Sequence, residues 1–343
     1  MINNRLKQGA GSFLHLRADI FSVIRHLSSV IRNIGLWLFW FPFRRIVQAI
    51  PRSVSYAIAS TGGLVISCFA RDLMRITCEE VGKCLGIPPS DIRVRIAARQ
   101  SFIMDVKRRF EDLILGTLTK KNMEEMVKIE GIENLNAALR KGKGVIILLS
   151  HFGSFLMILP ALGFRGYKIN QLGGPPLIEQ FGHVHKMVFE MREKEYSALP
   201  VNFLRSDFAL KDVLMALKRN ELVAIAFDGR IGDNWVETEF CGNKVNVAPG
   251  PVKFAMKTGA SILPTFIVRN PDNTHRLIIE KAVYVEDMKA REETVKVNLQ
   301  KISNIFGEYI VKYPSHFGMI LTIIRKRFEK GIVETPFFST INN

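Results

Sequence analysis

Residues 142–154 read Gly142-Lys143-Gly144-Val145-Ile146-Ile147-Leu148-Leu149-Ser150-His151-Phe152-Gly153-Ser154. The short apolar run Val145–Leu149, with glycines before it and Ser150 after it, predicts a buried strand. Leu222–Phe227 and Ser261–Val268 have the same texture, and His275–Val285 is a further strand candidate. Helical spacing lies between them, over Ile132–Lys141, Phe152–Leu162, Leu177–Glu195, Asp207–Arg219 and Pro249–Thr258, with a last helix over about 290–312. Alternation of this kind predicts an α/β domain, a mixed sheet flanked by helices on both faces. Upstream, Arg71–Leu85 reads as a helix stopped by Gly86 and Pro88–Pro89, and Ser90–Asp91 are good capping types for the next helix. The expected organisation is residues 1–70 as a basic, aromatic region, 71–120 as a helical lead-in, 121–330 as the α/β domain and 331–343 as a tail.

The charge balance narrows the partners. Among 343 residues, 48 Lys and Arg against 32 Asp and Glu give a net charge of +16, a field that attracts anions. Residues 1–52 hold eight basic residues and a single acid, Asp19, interleaved with Phe13, Phe21, Trp37, Phe39, Trp40, Phe41 and Phe43. Basic residues mixed with Trp and Phe suit a helix lying in a bilayer interface, so the expectation is an N-terminal helical membrane-docking region on an anionic membrane surface. A nucleic-acid arm is more often basic without such an apolar run, and no nucleic-acid reading motif is present. Ile34–Phe43 is uncharged but far shorter than the roughly 20 residues of a spanning helix. Ser53–Ala70 is uncharged for 18 residues yet diluted by Ser and Gly; it reads as a buried or re-entrant helix, with a marginal transmembrane helix as the alternative. No small-residue cleavage site follows a short apolar core, so a secretory signal is not expected. Cys68, Cys78, Cys84 and Cys241 lack C-x-x-C spacing and read as free thiols.

The candidate chemistry starts at His151. It follows the C-terminal end of a buried strand at the expected entry to a helix, where α/β sheets place ligands, and imidazole accepts a proton near neutral pH. A lone histidine there is more often a structural one. His183 and His185, two apart, face different sides of a helix, and no metal or dinucleotide motif occurs, so no cofactor is expected. Asp228-Gly229-Arg230, by itself, reads equally as a turn after a strand and as part of a site. Ser315-His316-Phe317-Gly318 repeats the letters of Ser150–Gly153, but nothing around it repeats, and it reads as coincidence. Ser154 and Cys241 lack the nucleophile-elbow context.

The order of short motifs carries more. Glu130-Gly131-Ile132-Glu133-Asn134-Leu135, then Gly142–Gly144, the strand and His151-Phe152-Gly153, then Arg192, Arg205, a helix, a strand and Asp228, then Phe240-Cys241-Gly242, Val247-Ala248-Pro249-Gly250, Lys257–Ala260, Arg269, Tyr313-Pro314 and Arg325–Phe328 together resemble the lipid A biosynthesis (lauroyl/myristoyl) acyltransferases of the lysophospholipid acyltransferase superfamily. The resemblance covers roughly residues 125–330. It implies transfer of a fatty acyl chain from an acyl carrier protein thioester, or from coenzyme A, to a hydroxyl of a membrane glycolipid at the cytoplasmic face of a bacterial inner membrane. It implies His151 as the general base, with Gly153, Arg192, Arg205 and Arg230 as substrate-binding candidates, the arginines suited to phosphates through forked hydrogen bonds.

One departure is plain. The family has Asp or Glu five positions after its histidine, and here that residue is Leu156, which cannot accept the imidazole N–H. Three readings follow. Another acid supplies the function, with Asp228 the candidate because it too ends a buried strand. Or the protein catalyses slowly, or a different acyl transfer, with Ser154 or water orienting the ring. Or catalysis is lost and the chain is a degenerate homologue that only binds acyl or glycolipid ligands.

Overall fold

In the computed structural model, which describes residues 29–172, 182–204, 209–230 and 234–339, the run Val145–Leu149 is a strand with every residue buried. It is β2 of a sheet that also holds β1 (Val127–Glu130), β3 (Ile169–Leu172), β4 (Asn202–Leu204), β5 (Leu222–Ala226), β8 (Ser261–Arg269) and β9 (His275–Ile279). A separate hairpin pairs β6 (Val236–Phe240) with β7 (Asn243–Val247). The seven strands run in the order β1-β9-β8-β2-β5-β3-β4. Neighbours are parallel except for β8 and β9, so the sheet is mixed and the α/β expectation holds. Strand β9 stops at Ile279, short of the expected Val285; Val283 returns only as a single bridge to Ile262.

Strand β2 alternates between two apolar layers. Ile146 and Leu148 join Phe152, Phe227, Phe266 and Phe306 on one face. Val145, Ile147 and Leu149 join Leu135, Met157 and Ile158 on the other. A strand covered on both faces reads as a continuous apolar run, which is why this one was conspicuous in the sequence.

The described residues fall into two compact units, residues 29–49 with 182–194, and residues 50–172 with 195–339. In the smaller unit, helix α1 (residues 29–38) passes into a π-helical turn, Phe39–Phe43, and then α2 (Arg44–Ala49). Pro42 sits inside that turn; with no N–H to give, proline breaks the regular ladder, and the wider turn accommodates the break.

In the larger unit α3 (Arg52–Phe69) packs on α5 (Ile92–Ile114) with an inverted polarity. Its buried residues are Ser55, Tyr56, Ala59, Gly63 and Ser67, while Val54, Ile58, Val65, Ile66 and Phe69 are exposed, Phe69 to 81%. Gly63 permits the contact, since a Cβ there would lie 2.5 Å from the Ile103 Cα. No single helix among the described residues is long and apolar enough to cross a membrane; α3 and α4 (Arg71–Leu85) pass that test only as a pair, bent by 97° at their junction. As expected, Gly86 ends α4 in the left-handed conformation and Asp91 caps α5, accepting the Arg93 N–H.

Candidate active site

Strand register brings the first two candidate residues together. In the parallel β2–β5 pair, Leu149 lies opposite Ala226. The chain runs two residues past each, so His151 and Asp228 emerge side by side. Both carboxylate oxygens of Asp228 lie 3.1 Å from His151 Nδ1, and both accept the His151 backbone N–H at 3.2 Å. The Asp228 side chain has no exposed surface, whereas His151 keeps 40% of its own. Burial alone would raise the Asp228 pKa, but the His151 charge and hydrogen bonds, helped by Arg230, hold it below the usual carboxylate value. Burial likewise disfavours a charged His151, and Arg108 and Arg327 add to that, yet Asp228 outweighs them and the imidazole pKa is raised. With Nδ1 on the carboxylate, Nε2 is the nitrogen left for a substrate.

The loop carrying His151 is fastened at several points. Gly153 has φ +58°, and a Cβ there would lie 2.2 Å from the Ile267 carbonyl oxygen, so both backbone and space require glycine. Its N–H donates to the His316 carbonyl at 2.9 Å. Ser154 is buried and accepts from Arg269 at 2.7 Å. Arg269 also pairs with Glu111 at 2.7 Å, their side chains 2% and 1% exposed. The Tyr56 hydroxyl donates to the same Glu111 oxygen at 2.8 Å, and His275 Nε2 lies 3.0 Å from it. Burial would raise the Glu111 pKa; Arg269 first, then His275, hold it well below the carboxylate range.

The helix expected to start at Phe152 begins later. A 3₁₀ turn, Phe155–Met157, leads into the helix Ile158–Gly163, so no helix N-terminus lies at His151. The reason is the left-handed Gly153, which turns the chain before a helix can start. Leu156 packs against the apolar layer that contains Met157.

The other candidates are dispersed. Arg230 follows Asp228, its guanidinium 4.9 Å from the Trp235 ring and 5.2 Å from the Phe337 ring. Burial brings its pKa down to about 10 against the pull of Asp228, and its Nε and Nη2 have no hydrogen-bond partner among the described residues. Arg192 belongs to the helix His183–Ser197, in its part within the smaller unit, 4.5 Å over the Trp40 ring. Arg205 lies outside the described residues. Among the described residues no group of three His, Cys, Asp or Glu side chains converges as a metal site would require.

A small pocket opens beside the pair, lined by His151 and Gly153 together with Asp105, Arg108, Ser315 and His316. Sequence reasoning nominated none of the last four for the site. Arg108 is held by Asp105 and lies 5.4 Å over the Phe155 ring. His316 sits in the second Ser-His-Phe-Gly tetrad, which was read as coincidence; the fold sets that tetrad against the first. The repeated letters were the available signal, but they carry no geometry until β2 and the helix after Tyr313 are packed together.

The family is shown by comparison. The chain belongs to the bacterial lipid A biosynthesis acyltransferase family, whose profile matches residues 24–328. It is similar to phosphatidylinositol mannoside acyltransferases, 22% identical to that of Mycolicibacterium smegmatis over 86% of this chain and 91% of the relative. Identity to the Mycobacterium tuberculosis protein of that name (strain CDC 1551 / Oshkosh) is 24% over 54% of this chain; that alignment spans only 58% of the relative's length. A 1-acyl-sn-glycerophosphate acyltransferase structure from Thermotoga maritima aligns over 77% of this chain and 97% of its own, with 14% identity and a TM-score of 0.33, too low to bear on the fold.

Proposed function

We propose that the protein transfers a fatty acyl chain from a thioester to a hydroxyl of a membrane lipid, with His151 as general base and Asp228 as its acidic partner. The observation that carries this reading is the contact between the buried Asp228 carboxylate and His151 Nδ1 at the wall of a pocket, in a chain of this family. In the proposed reaction Nε2 takes the acceptor's hydroxyl proton as its oxygen attacks the thioester carbonyl. The C–S bond then breaks, the proton passes from the imidazolium to the thiolate, and the new ester remains on the lipid. Asp228 holds the imidazole in the Nδ1–H tautomer and stabilises its protonated form. Thus Leu156 need not be acidic. A glycolipid acceptor is favoured by the similarity to phosphatidylinositol mannoside acyltransferases, and an acyl carrier protein or acyl-coenzyme A donor by the family resemblance. The exposed apolar face of α3 and, in the other unit, exposed Ile31, Ile34, Trp37 and Leu38 of α1 support docking on a membrane; the net charge of +16 favours an anionic surface, and the family resemblance favours the cytoplasmic face of a bacterial inner membrane.

The rival reading, a lipid-binding homologue without catalysis, makes opposite predictions. Thiol release from palmitoyl-coenzyme A and palmitoyl-acyl carrier protein is measured in vesicles carrying phosphatidylinositol mannoside or a lipid A precursor. His151→Ala is expected to abolish acylation, and Asp228→Asn to lower it by about 10⁴, each with the fold retained in far-ultraviolet circular dichroism although loss of the buried pair lowers the melting temperature. Binding of acyl donor without turnover by the wild type on every pair would favour the rival.

A further inference from the structure

His316 shares the pocket wall with His151, and its surroundings fix both its charge and its tautomer. Its Nε2 accepts the Arg269 backbone N–H at 3.1 Å. Phe152 stacks on the ring, with centroids 5.2 Å apart and planes at 24°, and the Cδ2 edge abuts Gly153. A nitrogen that accepts cannot also carry the proton, so a neutral ring bears its hydrogen on Nδ1. The ring is neutral because burial, with Arg269 and His275 beside it, pushes its pKa down to about 3. The Nδ1 side is the one beside Ser315, whose Oγ lies 3.5 Å away, a long contact that a better acceptor would displace. Ser315 is itself on the pocket wall.

The obvious backbone donor here is already engaged: the Gly153 N–H is spent on the His316 carbonyl. Acyl transfer at the pocket needs a hydrogen-bond donor for the thioester oxygen as it becomes an oxyanion. A neutral imidazole with one fixed N–H can serve as such a donor without taking up a proton itself.

Resting on the acyltransferase reading above, we infer that His316 is a second catalytic residue, a neutral imidazole whose Nδ1–H donates to the thioester carbonyl oxygen and to the oxyanion formed on it. The proton stays on Nδ1 throughout. When the C–S bond breaks the carbonyl reforms, and the donor is free for the next donor molecule. The two tetrads then divide the work, His151 taking a proton on one side of the reacting carbon and His316 holding negative charge on the other.

Two near-isosteres separate this role from a structural one. Asparagine places an amide N–H near the Nδ1 position and loses the acceptor for Arg269; glutamine reaches the Nε2 position, keeps that acceptor and loses the donor. With palmitoyl-coenzyme A as probe in the vesicles described above, His316→Ala and His316→Gln are expected to lower kcat by about 10²–10³-fold with little change in KM. His316→Asn should retain far more turnover than either, and the pH dependence of His316→Ala should keep the wild-type midpoint, since the base is untouched. Independently of turnover, the His316 imidazole, assigned by ¹⁵N NMR of the full chain against His316→Gln, should show the Nδ1–H tautomer and no titration between pH 5 and pH 8. An active His316→Gln with an inactive His316→Asn, an unaffected His316→Ala, or a ring that titrates in that range overturns the inference. Activity that survives His151→Ala but not the His316 variants would remove the base and leave this donor standing.

Discussion

The base role proposed for His151 requires the unprotonated ring, so the raised pKa that Asp228 gives it has a direct kinetic sign. The rising limb of kcat/KM with pH should have its midpoint above the ordinary histidine value of about 6.5. Asp228→Asn removes the stabilising charge, and the midpoint should fall to lower pH while the plateau drops; a pH profile of that variant with an unmoved midpoint would show that Asp228 does not set the His151 pKa. The charged pair also stabilises the fold, a contribution lost as pH rises through the raised imidazole pKa and lost again as pH falls through the lowered Asp228 pKa. Asp228 was open to nomination from sequence because, like His151, it follows the end of an expected buried strand, Leu222–Phe227. That those strands are neighbours was not legible, since β2 pairs with both β5 and β8 and no local pattern says which strand end lies nearest. Leu156 misleads for a related reason: the expected helix would have turned that position back toward His151, but the chain turns at Gly153 first.

At the scale of elements, the buried Glu111–Arg269 pair ties α5 to β8, and Tyr56 adds α3 to the same point. Breaking a buried pair leaves an uncompensated charge, at a cost of about 3–5 kcal/mol, whereas replacing both partners by apolar residues is often nearly neutral. Arg269→Met should therefore lower stability by about that amount in denaturant titration, and the double variant Glu111→Leu/Arg269→Met should recover much of it. A single variant within about 1 kcal/mol of the wild type would mean that the pair does not clamp these elements. The sequence showed the long apolar strands and the capped helices, where periodicity and turn residues agree. It did not show β1, β3 and β4, of three or four residues each with polar side chains such as Asn170 and Gln171 in β3; strands this short and polar are defined by their neighbours. The β6–β7 hairpin was equally hidden. Its two-residue turn puts Cys241 at φ 51° and Gly242 at φ 72°, and Cys-Gly is not the Asn-Gly or Asp-Gly signal such turns usually carry.

For the whole molecule, the proposed membrane docking would draw separately on a net charge of +16 and on an outward apolar face of α3. Salt weakens the first and leaves the second. In flotation with vesicles containing anionic lipid, high salt should release the protein only in part. Val65→Ser/Phe69→Ser should reduce partitioning by at least about tenfold, at about 1.5–3 kcal/mol for a large apolar side chain buried, without lowering the melting temperature; complete release of the wild type by salt alone would count against an inserted face. The order of the sheet adds a consequence in time. Val145 needs Leu222 on one side and Ser261 on the other, and β1 waits for β9. At a synthesis rate of about 5–20 residues per second, the central strand leaves the ribosome many seconds before its last partner exists. Helix α3 is made earlier still, so under the proposed membrane docking a nascent chain would have its apolar surface ready well before the sheet can close, and a ribosome working at the bilayer would deliver the enzyme already in place.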